Sequence, residues 1–465
     1  MSAQGAHLRA GQLGTLDVTA STVANIGPGI DFYFGFGIVA ATAGVAAPLT
    51  IIAAGVATLL LAHIVSEFTR AEPSAGSFIT YVRSAFGDRA GIVTSLLIAV
   101  GYTIAIAGVF AMSGGMLTLA LAHYAHVAVA WEPISLVLTL GALLLSARGV
   151  SLSTRAVGVA VVLQVLVMIA VCAVVLLDQR AALSDAPFHP SNITGGLAGL
   201  SGGFPLALYM FIGWENGPAL AEECRDPKRS IPRALYASIL LTTALFVLFA
   251  YVTVTGFHYD VSNVGRASIP FLQMADSYLG RWAALAWVAG ILSILATLVS
   301  AVNAQSRMIF DAGRANLLTP WLGRLSKGSD TPVNALWTMG GAGILIAAFW
   351  GAGHLSGALG GPNDPVALYV ESSTMGTIVI LVVYVLTALA LPVFVRRRHI
   401  ERFSPLSHVV IPALGVLSLA IPFFELCRPG QPFPYNVFPY LTLVLLGGAV
   451  LYARLRPRPD VRWPT

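Results

Sequence analysis

The sequence is poor in charged residues. Asp, Glu, Lys and Arg make up only 10% of the 465 residues, whereas 57% of the residues are hydrophobic. A soluble domain contains about 25% charged residues, so this chain could not cover a surface that faces water. The composition therefore predicts a protein that lies in a lipid bilayer.

The sequence is also poor in cysteine and in enzyme motifs. Cys172, Cys224 and Cys427 are widely spaced and have no CxxC or HxxxH companion, which argues against a disulfide framework and against a metal site. There is no Walker A loop, no HExxH and no GxGxxG in strand context, and the nine histidines are scattered along the chain. We therefore predict neither an enzyme nor a metalloprotein.

Long hydrophobic runs are abundant. A helix of about 20 apolar residues crosses the roughly 30 Å hydrocarbon core of a bilayer, and we predict twelve such helices. No cleavable signal peptide is expected before them, because residues 1–16 are polar. The predicted spans cover about residues 19–44, 48–68, 90–122, 130–147, 156–178, 197–221, 234–257, 282–305, 333–352, 367–395, 407–425 and 436–453.

Lysine and arginine are distributed unevenly between the loops. All but four of the 26 basic residues fall on one predicted side of the membrane. By the positive-inside rule that side is the cytoplasm, and it includes both termini. Basic loops beside anionic lipid also account for the formal net charge of +5, so no nucleic-acid partner is expected. The four exceptions are Arg180, Arg266, Arg281 and Arg428.

Two of the predicted spans are interrupted by helix-breaking residues. The first contains NIGPGIDFYFGFG at residues 25–37, and the sixth contains GGFPLALYMFIGWENGPALAEE at residues 202–223. In a helix interior, Gly costs about 1 kcal/mol and Pro about 3 kcal/mol relative to Ala. Since an open loop cannot face lipid, each break either borders a solvated cavity or is a proline kink that only shapes packing. Corresponding breaks in two halves of a chain are typical of carriers built from inverted repeats, which favours the first interpretation.

Four segments resemble motifs of one family of membrane carriers. GPGI at residues 27–30 resembles the break in its helix 1, and SEFTRAEPSAGSFITYVRSAFG at 66–87 resembles the exit of its helix 2. FIGWENGPALAEECRDPKRSIPRAL at 211–235 is similar to its helix 6 region, and SRMIFDAGRANLLTP at 306–320 is similar to the exit of its helix 8. On these residues the chain resembles the amino acid–polyamine–organocation (APC) superfamily of secondary carriers.

The resemblance implies a leucine-transporter-type fold, in which helices 1–5 and 6–10 are inverted repeats and two further helices follow. It also implies a permease of the cell membrane that moves amino acids or closely related amines by alternating access. The alternatives are a polyamine or organic-cation carrier and a membrane amino-acid sensor that transports nothing. No disulfide-linked accessory subunit is expected. The predicted boundaries are a cytoplasmic tail at 1–16, repeat one at 17–180, repeat two at 190–395, helices 11 and 12 at 396–453, and a second cytoplasmic tail at 454–465.

The resemblance also places the substrate where helices 1 and 6 unwind. There the half-helix after Gly27 would offer N–H donors and a positive dipole end to a carboxylate. The half-helix that ends near Phe211 and Ile212 would offer carbonyl groups to an ammonium, so a zwitterion would match both ends. The predicted substrate-binding residues are Ile26, Gly27, Pro28, Gly29, Ile30, Asp31, Tyr102, Phe211, Ile212, Gly213, Trp214 and Glu215.

Two of these residues, Asp31 and Glu215, are acids inside predicted spans. An intramembrane charge costs several kcal/mol unless it is paired or hydrated, so a functional role is expected. Asp31 departs from the family, which usually has an apolar or aromatic residue there. Asp31 could meet a cationic group of the substrate, either acid could carry a coupled proton, or Asp31 could simply be exposed to water in an outer vestibule.

The coupling ion is expected to be a proton or a sodium ion. Gln164 occupies a position where several sodium-independent members of the family have a lysine in place of the ion, and a neutral amide cannot replace a cation. Ser293 and Thr297 share a helix face at i,i+4 and are candidate sodium ligands together with the backbone carbonyl groups at the breaks. Hydroxyls in membrane helices more often bond to their own backbone. On the cytoplasmic side, the motif Glu222-Glu223…Arg225-Asp226-Pro227-Lys228-Arg229 is expected to form salt bridges that brace the inward gate rather than a ligand site.

Overall fold

The structure is a computed structural model that describes residues 8, 10–326 and 330–456. The predicted tails at 1–16 and 454–465 therefore lie partly outside the described residues. So do four of the basic residues that were used to predict the topology, namely Arg9, Lys327, Arg458 and Arg462.

The described residues fold into helices and loops. Their only β contact is an isolated parallel bridge between Leu13 and Cys224. The α-helices are α1 Thr15–Ile26, α2 Pro28–Ala43, α3 Ala47–Ala71, α4 Phe78–Phe86, α5 Asp88–Ala125, α6 Trp131–Ala147, α7 Val150–Asp178, α8 Leu197–Tyr209, α9 Pro227–Gly256, α10 Val261–Arg266, α11 Pro270–Leu279, α12 Ala284–Arg314, α13 Val333–Leu355, α14 Pro365–Arg398, α15 Ile411–Cys427 and α16 Phe438–Leu455.

Ten helical segments in the described part of the chain are long and apolar enough to span a membrane. One of them, Thr15–Ala71, has 57 residues and contains the first two predicted spans. α6 is apolar but has only 17 residues and is not among the ten. The prediction of an all-helical membrane protein is confirmed. The short helices α4, α10 and α11 lie between predicted spans and were not foreseen.

The first predicted span is broken at Gly27. α1 ends there because Gly27 adopts the left-handed conformation, with φ of 70°, which residues with a side chain rarely adopt. A Cβ atom on Gly27 would lie 2.5 Å from Oγ1 of Thr297, so the close approach of α12 also requires glycine. Pro28 then begins α2, where the missing N–H group of proline needs no partner.

The sixth predicted span is broken as well, and its two parts differ in type. α8 ends at Tyr209, and Gly213 has φ of 110°. The chain continues as a 3-10 helix over Trp214–Glu223. A Cβ atom on Gly213 would lie 2.5 Å from the backbone oxygen of Asn25, so the two broken segments touch through their main chains.

The halves of the two broken helices pair crosswise. α2 packs against α8, and α1 packs against the 3-10 helix Trp214–Glu223. α12 contacts α1, α2 and this 3-10 helix, so it supports both breaks. α5 and α14 pack against each other. The breaks therefore lie inside the helix bundle, where main-chain groups without helical partners are kept away from lipid.

Candidate functional site

A direct hydrogen bond joins the two breaks. Nδ2 of Asn25, at the end of α1, donates to the backbone oxygen of Gly213 over 2.9 Å. Asn25 is only 6% exposed, so this bond is formed away from water. It ties the unwound part of one helix to the unwound part of the other.

A narrow cavity of about 60 Å³, the central cavity, lies beside this contact. This volume is below the roughly 300 to 1,000 Å³ of most small-molecule sites, so a bound solute requires the surrounding helices to move apart. One part of the wall is apolar and consists of Ala105, Ile106, Val109, Ile212, Ala301 and Ile380. The polar part contains Asn25, Asp31, Tyr102, Tyr209, Asn216, Thr297, Gln305, Tyr369 and Thr377.

Asp31 faces the central cavity from the first turn of α2. It is 6% exposed, and its Oδ1 accepts a hydrogen bond of 2.5 Å from the phenol of Tyr369 on α14. Among the described residues it has no ion-pair partner. A buried acid of this kind either holds a proton or pairs with a positive charge brought by a ligand.

Glu215 lies behind the cavity lining and is fully buried. One carboxylate oxygen accepts a hydrogen bond from the phenol of Tyr102, and the other accepts one of 2.9 Å from the backbone N–H of Gly213. It likewise has no ion-pair partner in the described part of the chain. These contacts stabilise the conformation of the second break and fix the position of Tyr102, which lines the cavity.

The two hydroxyls predicted as sodium ligands lie at the first break. Oγ of Ser293 accepts hydrogen bonds of 3.0 Å from the backbone N–H groups of both Gly29 and Ile30. Oγ1 of Thr297 donates to the backbone oxygen of Ala24 over 2.8 Å. The N–H groups that the sequence suggested as a carboxylate seat are therefore already bonded to α12 in this conformation.

Gln164 on α7 also lies next to this break. It is fully buried, and neither atom of its amide has a hydrogen-bond partner among the described residues. A Cβ atom on Gly29 would lie 3.1 Å from its Oε1. A buried amide without partners is costly, so Gln164 is placed to bind a further polar group or ion near the start of α2.

Four of the predicted substrate-binding residues line the central cavity, namely Asp31, Tyr102, Ile212 and Gly213. Phe211 and Trp214 instead pack in the core, with ring centroids 5.4 Å from Phe246 and 5.8 Å from Tyr384. The remaining residues form or support the breaks behind the lining: Ile26, Gly27, Pro28, Gly29, Ile30 and Glu215.

Sequence reasoning missed several polar residues that line the cavity, including three amides and a tyrosine. Asn25 and Asn216 lie next to the breaks, whereas Gln305 and Tyr369 come from α12 and α14. All four are at most 6% exposed. Amides inside apolar spans are a signal that could have identified Asn216 and Gln305, but Tyr369 looks like any other tyrosine near the start of a span.

Ion pairs join α12 to the end of the 3-10 helix on the predicted cytoplasmic side. The guanidinium of Arg307 on α12 bonds both carboxylate oxygens of Glu223, and the side chains are 1% and 3% exposed. Arg314 pairs with Glu222, so both glutamates form salt bridges as predicted, with partners on α12 that lie outside the predicted motif. The backbone N–H of Leu13 also donates to the backbone oxygen of Glu223 over 3.0 Å. This bond attaches the segment before α1 to the end of the 3-10 helix.

The chain resembles known transporters over most of its length. It is 26% identical over 402 residues to the branched-chain amino acid permease BcaP of Bacillus subtilis (strain 168), a match that covers 81% of this chain and 80% of the relative. It is 26% identical over 300 residues to BcaP of Lactococcus lactis subsp. cremoris (strain MG1363), covering 61% and 64%. It is 25% identical over 322 residues to cationic amino acid transporter 1 of Arabidopsis thaliana, covering 66% and 52%.

A family model supports the same grouping. The model described as "Amino acid permease" matches residues 13–450, a range that includes both breaks, the central cavity and the ion pairs of Arg307 and Arg314. The family and these relatives are transporters rather than enzymes, in agreement with the prediction from the sequence. The chain therefore belongs to the amino acid permease family, within the APC superfamily whose motifs it carries.

Proposed function

We propose that the protein is a secondary carrier that moves amino acids across the cell membrane by alternating access. The observation that supports this most directly is the contact between the breaks at Gly27 and Gly213 beside one buried cavity. Discontinuous helices near the bilayer midplane expose backbone groups and dipole ends to a solute. Rocking of one part of the bundle about this point would open the cavity to each side in turn.

The same proposal includes twelve crossings arranged as inverted repeats. Thr15–Ala71, at 57 residues, would cross twice, and α6, at 17 residues, is at the lower limit for one crossing. The crosswise pairing of the broken halves is the arrangement that two inverted repeats would produce. The repeat boundaries at 17–180 and 190–395 and the cytoplasmic position of both termini remain predictions of the sequence.

The central cavity supports a neutral aliphatic amino acid as the substrate. Ile106, Val109, Ile212 and Ile380 supply an apolar wall, which would hold a branched side chain by burial from water. The substrate carboxylate would replace Ser293 as the acceptor for the N–H groups of Gly29 and Ile30. The relatives include transporters named for branched-chain amino acids and transporters named for cationic amino acids. The protonation state of Asp31 would decide which of these two substrate classes binds.

Asp31 is the proposed carrier of a coupled proton. A substrate carboxylate at the start of α2 would lie close to Asp31, which belongs to the same helical turn. Two negative charges in a buried site repel each other, so a proton on Asp31 would favour substrate binding, and the substrate would favour the proton to the same extent. A neutral Asp31 also leaves no charge to attract a cationic side chain.

Sodium coupling has weaker support. The oxygen of a serine hydroxyl has two acceptor lone pairs, and Ser293 uses both of them on the N–H groups of Gly29 and Ile30. It therefore has no lone pair left for a cation in this conformation. Thr297 and Gln164 retain acceptor capacity, so a sodium site would have to combine them with backbone carbonyl groups at the break.

The test is uptake by proteoliposomes that contain the purified protein. Radiolabelled leucine, valine, lysine, arginine and putrescine would be compared at pH 5.5 and 7.5, with and without sodium. We expect saturable uptake and counterflow of leucine or valine, faster at an external pH of 5.5 and unchanged by sodium. Flux that does not saturate would indicate a channel, binding without uptake would indicate a sensor, and preference for putrescine would indicate an amine carrier.

A further inference from the structure

A groove that is separate from the central cavity opens at the surface of the helix bundle. This groove, the lateral groove, has a volume of about 300 Å³ and is bounded by α5, α6 and α13. Leu136, Ala348, Ala352 and Leu355 line it, and all four are exposed. In a multi-pass membrane protein such a groove is open to the lipid that surrounds the helices.

The lateral groove matches one leaflet of a bilayer in depth. Its lining residues on α13 extend from Ile344 to Leu355, and at 1.5 Å per residue this part of the helix rises by about 16 Å. The hydrocarbon core of a bilayer is about 30 Å thick, so one leaflet is about 15 Å deep. The groove reaches the end of α13 at Leu355 and the start of α6 at Trp131, which both lie on the predicted outer side. It therefore has the length and the position of an acyl chain of the outer leaflet.

An acidic side chain lies at the outer end of the lateral groove. Glu132, in the first turn of α6, lines the groove, and its Oε1 accepts a hydrogen bond of 2.6 Å from Nδ2 of Asn363. Glu132 has no ion-pair partner among the residues that the structure describes. Oδ1 of Asn363 is buried and has no hydrogen-bond partner in the same part of the chain, and a Cβ atom on Gly351 of the groove would lie 3.5 Å from it. The mouth of the groove therefore presents a negative charge and an unused acceptor, which together suit a cation that carries N–H groups.

The apolar part of the lateral groove cannot distinguish one phospholipid from another. Lipid tails are as apolar as leucine side chains, so acyl chains of the same length gain about the same from lying there. A different surface groove of about 310 Å³, between α14 and α15, is lined only by Leu, Val, Ala and Phe side chains. It offers no charge or hydrogen-bonding side chain to a headgroup. Selection of a lipid by its headgroup is therefore expected at the lateral groove, where Glu132 lies, and not at the groove between α14 and α15.

We propose that the lateral groove binds phosphatidylethanolamine, a phospholipid whose headgroup carries a primary ammonium. The ammonium donates hydrogen bonds to the carboxylate of Glu132 and to Oδ1 of Asn363, and one acyl chain lies along α13. α5 separates this lipid from the central cavity, since Val109 lines the cavity whereas Phe110 and Ala111 line the groove. The bound lipid therefore supports one wall of the central cavity from behind. The site does not depend on which solute the protein carries.

The test compares phosphatidylethanolamine with phosphatidylcholine that has the same acyl chains. Both headgroups carry an ammonium and a phosphate, but only the ethanolamine group has N–H donors. The full chain, stripped of lipid in detergent, would be titrated with each lipid, and native mass spectrometry would count the bound molecules. A hydrogen bond to a charged group contributes about tenfold to an equilibrium constant, so we expect one phosphatidylethanolamine to bind about tenfold more tightly than phosphatidylcholine. Equal binding of the two lipids to the wild type would overturn the proposal.

Four variants locate the selective site. Glu132→Gln should remove the preference, and Ala348→Phe should fill the groove and displace the selected lipid. Asp185→Asn is the matched control for charge, since the Asp185 side chain is 84% exposed on the same predicted side. Ala420→Phe is the control for filling, because Ala420 is exposed in the groove between α14 and α15. Both controls should keep the wild-type preference. A preference that persists in Glu132→Gln, or that is lost in either control, would contradict the assignment to the lateral groove.

A second measurement needs no variant and therefore covers the case in which a substitution disturbs folding. Phosphatidylethanolamine with a photoreactive group in one acyl chain would be incorporated into phosphatidylcholine liposomes that contain the wild-type protein, and labelled peptides would be identified by mass spectrometry. We expect label on residues 131–139 and 344–355 that unlabelled phosphatidylethanolamine suppresses and added phosphatidylcholine does not. Label confined to other helices would overturn the site. Neither outcome alters the uptake measurements, so failure of this proposal is distinguishable from failure of the proposed function.

Discussion

The phenol of Tyr369 on α14 donates a hydrogen bond of 2.5 Å to Oδ1 of Asp31 in the first turn of α2. Both side chains are at most 6% exposed, and both line the central cavity. A substrate that enters the cavity would contact the two partners of this bond. The bond therefore links occupation of the cavity to the position of the half-helix α2.

Asp31→Asn is expected to remove the pH dependence of uptake. The wild-type rate should fall as the external pH rises, because only the protonated carboxyl accommodates the substrate carboxylate. For one ionising group the limit is about tenfold per pH unit. Asparagine still accepts the hydrogen bond from Tyr369 but cannot ionise. Initial rates between pH 5.5 and 8 would measure this, and a variant that keeps the wild-type profile would rule out Asp31 as the proton carrier.

Ser293→Ala should change uptake by the same factor with and without sodium. The substitution removes the acceptor for the N–H groups of Gly29 and Ile30, and each buried group left without a partner costs about 1–3 kcal/mol. The folded state should therefore unfold at a lower temperature. Thr58→Ala is the control, because the Thr58 hydroxyl only bonds to Ala54 of its own helix. A decrease confined to buffers with sodium would instead indicate a sodium site at Ser293.

Gly27→Ala and Gly213→Ala should both destabilise the protein and abolish transport. Left-handed backbone costs a residue with a side chain about 1–2 kcal/mol, and the overlaps with Thr297 and Asn25 add about 1–3 kcal/mol each. Thermal unfolding in detergent and uptake in proteoliposomes would measure the two effects. Gly447→Ala is the matched control, since a Cβ atom there meets nothing within 4 Å and α16 should tolerate it. Wild-type stability of Gly27→Ala would contradict the geometry of the break.

Arg307→Gln should weaken closure on the predicted cytoplasmic side. It leaves the buried carboxylate of Glu223 unpaired, which costs about 3–5 kcal/mol, whereas Arg307→Gln combined with Glu223→Gln should recover much of the loss. Thermal unfolding of the single and double variants would measure the coupling between the two residues. Arg229→Gln is the control, because its ion pair with Asp226 is exposed and 3.8 Å long. Equal destabilisation by the single and double variants would show that the pair contributes nothing specific.

Much of the architecture follows from local sequence patterns. The predicted spans at 90–122, 333–352 and 367–395 correspond to α5, α13 and α14, because a long apolar run has few structures available to it in lipid other than a helix. The break at Gly27 was equally predictable, because Gly and Pro disfavour a continuous helix whatever that helix packs against. The short helices between spans were missed because they lack the length of a span.

Composition, spacing and motif therefore determined by themselves that this chain is a helical membrane protein of the permease family with two broken helices. Only the tertiary structure decided that Ser293 accepts hydrogen bonds from the N–H groups at the first break and that Tyr369 donates one to Asp31. It also decided that Phe211 and Trp214 pack in the core. The physical reason is that helix formation depends on neighbours along the chain. Contacts between helices depend on side chains far apart in sequence, whose meeting is set by how the whole bundle packs.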